Sequence, residues 1–595
     1  MTGMPVFNYP GRLNVAVCAA GLALAQLAGC ASVHPQKPPP APTAADSTAL
    51  TVSAEVALKR GDCRTASEDY AQAADTGDAA LARRAAQVAI ACEHVPAAWQ
   101  AANRWRTLAP DDVGANTLYA AVALKLYRTT DARNAIRDIR RSVEHDSPPA
   151  AQAGAPPVDP HAHPAKAAAA DPLATNMTEL AGLLLEEADA TAVLAAMSGA
   201  LDGPPAPSPA TLLLLGELAL TAYDGPRAES YARQVLAHND KDLGALHVLA
   251  RACLLQGHSA EAIATARLAV AADPVRGGLE LSEVLAALNR YEEARAQLEQ
   301  LRSQGAPGAE IDRRLALLAF DSGDLQDAKV RFAKLLSGGE GNEGAQLYIA
   351  DIEARNGDAD GAIADYRRLY DSSVALSARS RAAALLLDRN SRAEALALLD
   401  DYAADHPEQE LDLTLAKARL LADHGDASTG LAVLKAELDR HPQHPSIEYD
   451  RAVILEQAGQ VHESVTALEH LLAERPEDPT LLNALGYTLA DHALELPHAE
   501  ALIRRALLVM PDSPAALDSL GWVRFREGDA GSAARTLARA WSVGRDAEIA
   551  AHLGEALWVS GEPSEARKVW ATALAREPDS KPLKATVKRF LPDAP

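Results

Sequence analysis

Residues 547–580 read AEIAAHLGEALWVSGEPSEARKVWATALAREPDS, and this stretch decides the fold. Its apolar residues recur every three or four positions in two short segments, which is the spacing that builds amphipathic helices. Gly561 and Pro563 separate the two segments, since glycine ends helices well and proline suits the first turn of the next one. Gly554 and Ala566 are small where the two helices would cross, because larger side chains would push the axes apart. The stretch therefore predicts a pair of packed antiparallel helices.

The same arrangement recurs upstream at intervals of 34 residues, as between Gly323 and Gly357, and residues 514–546 carry the preceding copy. One helix pair cannot bury its own apolar face, so the copies must stack on one another. The spacing resembles that of tetratricopeptide repeats, which implies an all-α, right-handed superhelical solenoid of stacked antiparallel helix pairs. Earlier first helices are predicted to begin near Pro209, Leu243, Leu279, Ala309, Glu343, Leu376, Leu411, Pro445 and Pro479, the last copy having about one extra residue in its turn.

The pattern predicts five regions along the chain. They are a signal peptide at 1–29, a proline-rich tether at 30–46, N-terminal helix pairs at 47–145, a disordered Ala/Pro-rich linker at 146–172, and a long array at 173–595 whose clearest repeats lie at 479–580. Proline-rich and alanine-rich stretches without apolar periodicity cannot build a core, which sets the linker and the tether apart from the helix pairs.

Composition supports an all-helical scaffold. Hydrophobic residues make up 48% of the 595 residues but aromatic residues only 4%, so alanine and leucine supply most of the apolar surface. The formal net charge is −24, which repels phosphate backbones, and no basic stripe with interleaved aromatic residues offsets it. Nucleic acid is therefore not an expected partner.

The N-terminus resembles a bacterial lipoprotein signal peptide. Arg12 precedes an apolar run at 13–28, which ends in Gly29 and Cys30 and is too short for a membrane-spanning helix. The resemblance implies that Cys30 is acylated and anchors the chain, since several acyl chains on one residue give stable attachment. The next residue is Ala31 and not the aspartate that resembles an inner-membrane retention signal in some enteric bacteria. The resemblance therefore implies an outer-membrane location, with the chain facing the periplasm. The alternative is an ordinary cleaved leader that ends at a chance cysteine.

Two further cysteines, Cys63 and Cys92, fall in neighbouring predicted helix pairs. They are expected either to form a disulfide, which an oxidising compartment permits, or to be two buried small side chains. The residues leave both possibilities open.

The concave face of the last repeats is the predicted protein-binding groove. Trp522 and Trp558 occupy first-helix positions that would point into such a groove, where exposed aromatic residues and arginine form binding hot spots. The other groove candidates are Asn483, Tyr487, Asp518, Arg526 and Glu555. The alternative is that both tryptophans pack against the next copy, as Trp541 and Trp570 are expected to do in the core.

No enzyme is expected. The sequence holds no nucleophile elbow, no HExxH motif and no phosphate loop, and no catalytic set, metal site or cofactor is predicted. His161 and His163 form an HxH pair, but it falls within the predicted linker. Acidic residues recur just after turn glycines, which marks them as turn and helix-start residues: Asp62, Asp324, Asp358 and Asp426.

A closer resemblance rests on LNALGYTL at 482–489, LDSLGW at 517–522 and AALARRAAQVA at 79–89. These segments are similar to tetratricopeptide lipoproteins of proteobacterial outer membranes, one branch of which is the adaptor of a periplasmic carboxy-terminal processing protease. That resemblance implies protein partners, namely such a protease and the peptidoglycan hydrolases delivered to it. The alternatives are a scaffold for outer-membrane assembly, polysaccharide export or secretion and, from another class, a hydrolase with an unrecognised site.

Overall fold

The computed structural model describes residues 44–592 except 61, 77, 93, 127, 147–170, 202, 205, 338–342, 442–443 and 578–579. All the regular elements among these residues are helices, so the prediction of an all-α fold is confirmed. The predicted signal peptide, lipidation residue and proline-rich tether up to residue 43, and also His161, His163 and Pro578, lie outside the described residues.

The described residues form two compact units. The N-terminal unit holds residues 44–222 and 230–238, and the C-terminal unit holds 223–229 and 239–592. The N-terminal unit contains α1 (Ala44–Lys59), α2 (Cys63–Ala73), α3 (Ala79–Ala91), α4 (Val95–Leu108), α5 (Val113–Lys125), α6 (Thr129–Asp146), α7 (Pro172–Glu187), α8 (Ala190–Leu201) and α9 (Pro209–Thr221). Helix α10 (Gly225–Leu236) is divided between the two units. Its residues up to Glu229 belong to the C-terminal unit, and its residues from Ser230 onward belong to the N-terminal unit.

The C-terminal unit is a run of helix pairs closed by a single last helix. Its helices are α11 (Leu243–Leu255), α12 (Ser259–Ala272), α13 (Pro274–Ala287), α14 (Tyr291–Ser303), α15 (Gly308–Asp321), α16 (Leu325–Ser337), α17 (Glu343–Arg355), α18 (Ala359–Arg368), α19 (Ala375–Asp388), α20 (Arg392–Asp405), α21 (Glu410–Asp423), α22 (Ala427–Arg440), α23 (Pro445–Gln457), α24 (Val461–Glu474), α25 (Pro479–Asp491), α26 (Leu496–Val509), α27 (Pro514–Arg526), α28 (Ala530–Val543), α29 (Ala547–Val559), α30 (Pro563–Arg576) and α31 (Lys581–Phe590). Short 3-10 turns lie at Ala74–Thr76 and Pro407–Gln409.

In the C-terminal unit the odd-numbered helices are the first members of their pairs, and they lie on the inner side of the curve. Each first helix packs on the second helix that follows it. Some successive first helices also approach each other closely, namely α11 and α13, α19, α21 and α23, and α25, α27 and α29, whereas successive second helices of this unit show no comparable approach within the described residues. Stacked pairs curve toward the side on which their helices are closer, so the first helices form the concave face.

Small residues sit where the helices of a pair cross, as predicted. A β-carbon added at Gly554 would lie 2.0 Å from the indole nitrogen of Trp570, and one added at Gly521 would lie 2.5 Å from Leu537. Ala566 is fully buried at the same crossing as Gly554. Glycine is needed at these positions because the facing helix occupies the space of a side chain.

The turn residues behave as the sequence predicts. Gly561 has a φ of 96°, a left-handed conformation that favours glycine, and it follows the end of α29. The side chains of Asp62, Asp358 and Asp426 accept hydrogen bonds from backbone N–H groups of the helices that follow, at 3.0–3.1 Å. Asp324 does the same for the N–H of Asp327 at 3.1 Å. These aspartates are helix caps.

Most of the predicted helix starts agree with the structure to within one residue. Helices α9, α11, α17, α23 and α25 begin at the predicted residue, and the turn after α25 has four residues where that after α27 has three. The predicted start at Leu279 is wrong, because α13 begins at Pro274. Gly277 lies inside this helix, where an added β-carbon would meet the Ala269 backbone at 2.1 Å. The glycine permits a close helix contact there instead of a turn.

The C-terminal unit also contacts its own beginning. Asp512, in the turn after α26, is fully buried and donates its backbone N–H to the carbonyl oxygen of Tyr223 at 3.0 Å. Its carboxylate accepts a hydrogen bond from the N–H of Gly225 at 3.1 Å and forms an ion pair with Arg539. The array therefore folds back far enough for its last repeats to meet the segment that precedes α11.

Cys63 and Cys92 are joined by a disulfide, with their α-carbons 5.3 Å apart. The bond links the start of α2 to the residue after α3, and so ties together two neighbouring helix pairs of the N-terminal unit. The third cysteine that the structure describes, Cys253, is buried as a thiol. None of the described helices combines the length and the apolar character needed to cross a bilayer.

Candidate protein-binding surface

The predicted groove residues all lie on the concave face, on three successive first helices. We call this face, from α23 to α29, the inner face. Asn483 and Tyr487 lie on α25, Asp518, Trp522 and Arg526 on α27, and Glu555 and Trp558 on α29. Asn483 and Asp518 occupy equivalent repeat positions, and so do Tyr487, Trp522 and Glu555, whereas Arg526 and Trp558 lie nearer the ends of their helices.

Trp522 is core, not an exposed hot spot. Only 1% of it is exposed, and its ring stacks on His552 of the next first helix with 4.1 Å between ring centres. Its indole N–H donates to a carboxylate oxygen of Asp491 at 3.0 Å. The expectation that this tryptophan projects into an open groove is wrong, because the first helices are close enough for the ring to fill the gap between them.

Asp518 and His552 form a buried charge pair across one repeat. The His552 Nδ1 atom lies 3.0 Å from an oxygen of Asp518, and both side chains are less than one tenth exposed. Burial alone would lower the pKa of His552, but the negative charge of Asp518 and its hydrogen bond outweigh burial and raise the pKa to about 9. His552 is therefore an imidazolium at neutral pH.

Tyr487 spans two repeats to reach Glu548. Its hydroxyl donates to the Glu548 carboxylate at 2.8 Å, passing over the intervening helix α27. Burial within the inner face raises the pKa of Glu548 to about 8, since the nearby charge of His552 offsets only part of the desolvation. Burial likewise raises the pKa of Tyr487 well above its usual value. The Glu548 carboxyl is therefore protonated over much of the physiological pH range.

A second polar cluster lies at the ends of α23 and α25. Glu456, Asp491 and His492 are buried, and each offers a donor atom within 4.8 Å of the others, the spacing of a metal-ligand set. Those atoms are already engaged, because Glu456 accepts from Thr488 at 3.3 Å and lies 3.2 Å from His492 Nε2. The cluster is thus satisfied by the protein's own groups.

Arg526, Glu555 and Trp558 stabilise the same face. Arg526 donates to the carbonyl oxygen of Asp491, and Glu555 forms an ion pair with Arg589 of α31. Trp558 is half-buried, with its ring 5.8 Å from that of Trp570 and 5.7 Å from that of Phe590. Of the two tryptophans, only Trp558 keeps surface for a partner, and it does so at the edge.

Asn483 differs from the other candidates. Its amide oxygen is buried and accepts no hydrogen bond from the residues that the structure describes. An unsatisfied buried acceptor costs free energy, which a donor from a bound partner would recover. The Asn483 oxygen is nevertheless inside the fold, whereas Trp558 keeps part of its surface exposed.

The spacing of oppositely charged residues in the sequence indicates the buried pairs, although these pairs were not predicted. Asp518 and His552 are 34 residues apart, and so are Glu555 and Arg589. Residues one period apart occupy equivalent positions on adjacent helices, so opposite charges at that separation indicate contacts between repeats. The predicted core positions Trp541 and Trp570 are confirmed, at 8% and 1% exposed.

Comparison with known proteins agrees with this architecture. A model of the tetratricopeptide repeat matches residues 213–276, 279–329, 313–377 and 415–479. These four segments of the chain are similar to tetratricopeptide repeats. The TPR repeat-containing protein PA4667 of Pseudomonas aeruginosa is 30% identical over 213 residues, and the match spans 36% of this chain and 36% of that relative. Arrays of this kind commonly bind other proteins through their surfaces.

The chain is also similar to solved structures. TTC0263, a TPR protein of Thermus thermophilus, is 23% identical, with 30% of this chain and 97% of that chain covered at a TM-score of 0.28. The Cut9 and Hcn1 heterotetramer of the APC/C is 15% identical, with 92% and 97% covered at a TM-score of 0.29.

Proposed function

We propose that this chain is an outer-membrane lipoprotein that holds periplasmic proteins together on its tetratricopeptide array. The observation that carries the proposal is the C-terminal unit, a continuous stack of helix pairs with a concave face from α11 to α29. A stack this long offers far more surface than its own packing uses, and such surfaces serve as docking sites for extended partners.

Two features support an extracytoplasmic location. The apolar run at 13–28 before Cys30 is similar to a lipoprotein leader. The disulfide between Cys63 and Cys92 suits an oxidising compartment, because cytosolic thiols are kept reduced. Both features fit a chain that is exported, acylated and exposed to the periplasm.

The finer proposal is an adaptor that delivers peptidoglycan hydrolases to a carboxy-terminal processing protease. It is supported by the similarity of residues 482–489 and 517–522 to the lipoprotein adaptor branch. A scaffold for outer-membrane assembly, polysaccharide export or secretion is the alternative, since the same architecture serves all of these.

Affinity capture tests the adaptor role. A tagged full chain is purified from detergent-solubilised envelopes of its native host, and the bound proteins are identified by mass spectrometry. Recovery of a carboxy-terminal processing protease together with a peptidoglycan hydrolase is the expected result. Recovery of outer-membrane assembly, polysaccharide-export or secretion components without a protease would replace the adaptor role with the alternative scaffold.

Substitution of Cys30 tests the lipid anchor, and the leader offers a matched control in its other cysteine, Cys18. Cys30→Ser should abolish incorporation of radiolabelled palmitate and release the chain from the membrane fraction, whereas Cys18→Ser should change neither. Several acyl chains at one cysteine give stable attachment, so the loss should be complete. Unchanged labelling in Cys30→Ser, or no labelling of the unmodified chain, would refute the lipoprotein proposal.

A further inference from the structure

A cleft of about 400 Å³ lies between the second helices α26 and α28, away from the inner face. Leu517 and Leu520 of α27 are buried and form its apolar base, and Leu507 of α26 lines one side. Arginine side chains surround this base: Arg524, Arg535 and Arg539. The cleft thus combines an apolar base with a basic rim, in a chain whose net charge is −24.

One of these rim arginines lies at a position where the neighbouring repeats have leucine. Arg524 is the third residue after Gly521, the small residue at the helix crossing. In neighbouring repeats the residue three places after the corresponding small residue is a leucine, namely Leu386, Leu421, Leu455, Leu489 and Leu557. The first four of these leucines are buried. The half-buried guanidinium of Arg524 donates to the Thr536 hydroxyl, and both side chains line the cleft.

Two of the rim arginines have no carboxylate partner. Arg539 forms an ion pair with the buried Asp512. Arg535 donates to the Ser532 hydroxyl at 2.8 Å, and over the described residues neither Arg524 nor Arg535 forms an ion pair with a carboxylate. By contrast, Glu353, the charged residue that occupies this repeat position on α17, is paired with Lys329 at 2.9 Å. Asp529 lies near enough to Arg524 and Arg535 to interact with their charges without forming an ion pair, so three arginines face two carboxylates and the rim stays basic.

We infer that the cleft binds an acidic segment of a partner protein, with one apolar side chain on Leu517 and Leu520 and a neighbouring Asp or Glu carboxylate on Arg524 and Arg535. The planar guanidinium groups suit carboxylates, which they bind with two parallel hydrogen bonds. The volume suits a single side chain and its neighbours. This inference rests on the proposed role as a protein-binding scaffold, and it adds the place and the chemistry of one contact.

The chain provides matched variants. Arg524→Leu introduces the residue of the neighbouring repeats, so it should fill the cleft and leave the thermal unfolding midpoint unchanged or higher. Arg535→Glu reverses an exposed charge at the rim without changing the packing. Lys568→Glu is its control, because Lys568 occupies the equivalent position in the next repeat and is 70% exposed.

The test uses synthetic heptapeptides with acetylated and amidated ends, each carrying Leu or Phe beside none, one or two Asp or Glu residues. Fluorescence anisotropy with the purified full chain should show tighter binding with each added carboxylate. Arg524→Leu and Arg535→Glu should each weaken binding of the acidic peptides by about tenfold or more, the size expected for one lost charge-assisted hydrogen bond. Lys568→Glu should bind as the unmodified chain does.

Three results would overturn the inference. They are equal binding of neutral and acidic peptides, unchanged affinity in Arg524→Leu and Arg535→Glu, and binding to phosphatidylglycerol vesicles without binding to any peptide, which would indicate a lipid surface. Failure of the cleft is distinguishable from failure of the proposed function. If the Arg524→Leu chain still captures its envelope partners while no peptide binds, only the cleft is refuted.

Discussion

The last repeats and the middle repeats of the C-terminal unit place their charges differently. On α25 to α29, Asp518, His552 and Asp491 are buried between first helices, and the crossings are at glycines. On α17 to α20, crossings such as Ala383 are alanines, and pairs such as Arg367 with Glu394 stay largely in solvent. The two regions share one repeat pattern. We therefore expect the burial of a charge pair, and not its presence alone, to determine how much it contributes to the free energy of unfolding.

Removing one member of a buried pair should have the largest effect. Asp518→Asn leaves the imidazolium of His552 without its counter-charge and should lower the free energy of unfolding by about 3 kcal/mol. Urea unfolding followed by circular dichroism measures the change. The double variant Asp518→Asn with His552→Gln is the control and should lose less than the sum of the two single variants. Additive losses would show that the two side chains do not interact.

The glycine crossing should rank second. Gly554→Ala places a methyl group against the Trp570 ring and should cost about 2 kcal/mol through overpacking, measured by the same unfolding experiment. Gly531→Ala is the control, because a β-carbon there meets nothing closer than 3.8 Å and the change should be neutral or stabilising. Equal effects of the two substitutions would mean that the crossing is not tight.

The buried groups should also make the last repeats sensitive to pH. The pKa of Glu548 rises in the folded state from 4.5 to about 8, and that of His552 from 6.5 to about 9. The folded state thus holds more protons than the unfolded state, so stability should fall as pH rises from about 5 to 9. Thermal unfolding midpoints across that range should decline, and less steeply in Glu548→Gln. The exposed Glu562→Gln should follow the unmodified chain, and a midpoint that rises with pH would contradict the assignment.

The surface pair of the middle repeats should have the smallest effect. Arg367 and Glu394 are 2.6 Å apart, but their side chains are 44% and 53% exposed. Glu394→Gln should change the free energy of unfolding by less than about 1 kcal/mol, and 0.5 M salt should remove what remains. A loss as large as that of Asp518→Asn would remove the distinction between the two regions.

Much of the repeat framework could be predicted from the sequence, because it is encoded locally. Pro445 and Pro479 each occupy the first position of a helix, where a missing amide hydrogen costs nothing, and both starts are confirmed. The predicted start of α13 is five residues too late, at Leu279 instead of Pro274, because the close approach of Gly277 to the Ala269 backbone depends on packing and not on a local sequence signal.

Whether each candidate side chain is buried or exposed depends on geometry that no single repeat encodes. Trp522 and Trp558 sit three positions apart when counted from the crossing glycines Gly521 and Gly554, and one is core whereas the other is half-exposed. Which of them is covered depends on how closely successive first helices approach, and this approach is set by every interface along the stack. Residue type identified the correct face but not the depth of each side chain within it.

The contact between Asp512 and the backbone of Tyr223 and Gly225 has a mechanical consequence. A stack of repeats extends easily, but the helices from α11 to α26 cannot extend while the segment before α11 is hydrogen-bonded to the turn after α26. Pulling on this unit should therefore meet an initial stiff regime, which ends when the Asp512 hydrogen bonds break, before the compliant stretching that the helix pairs alone would give.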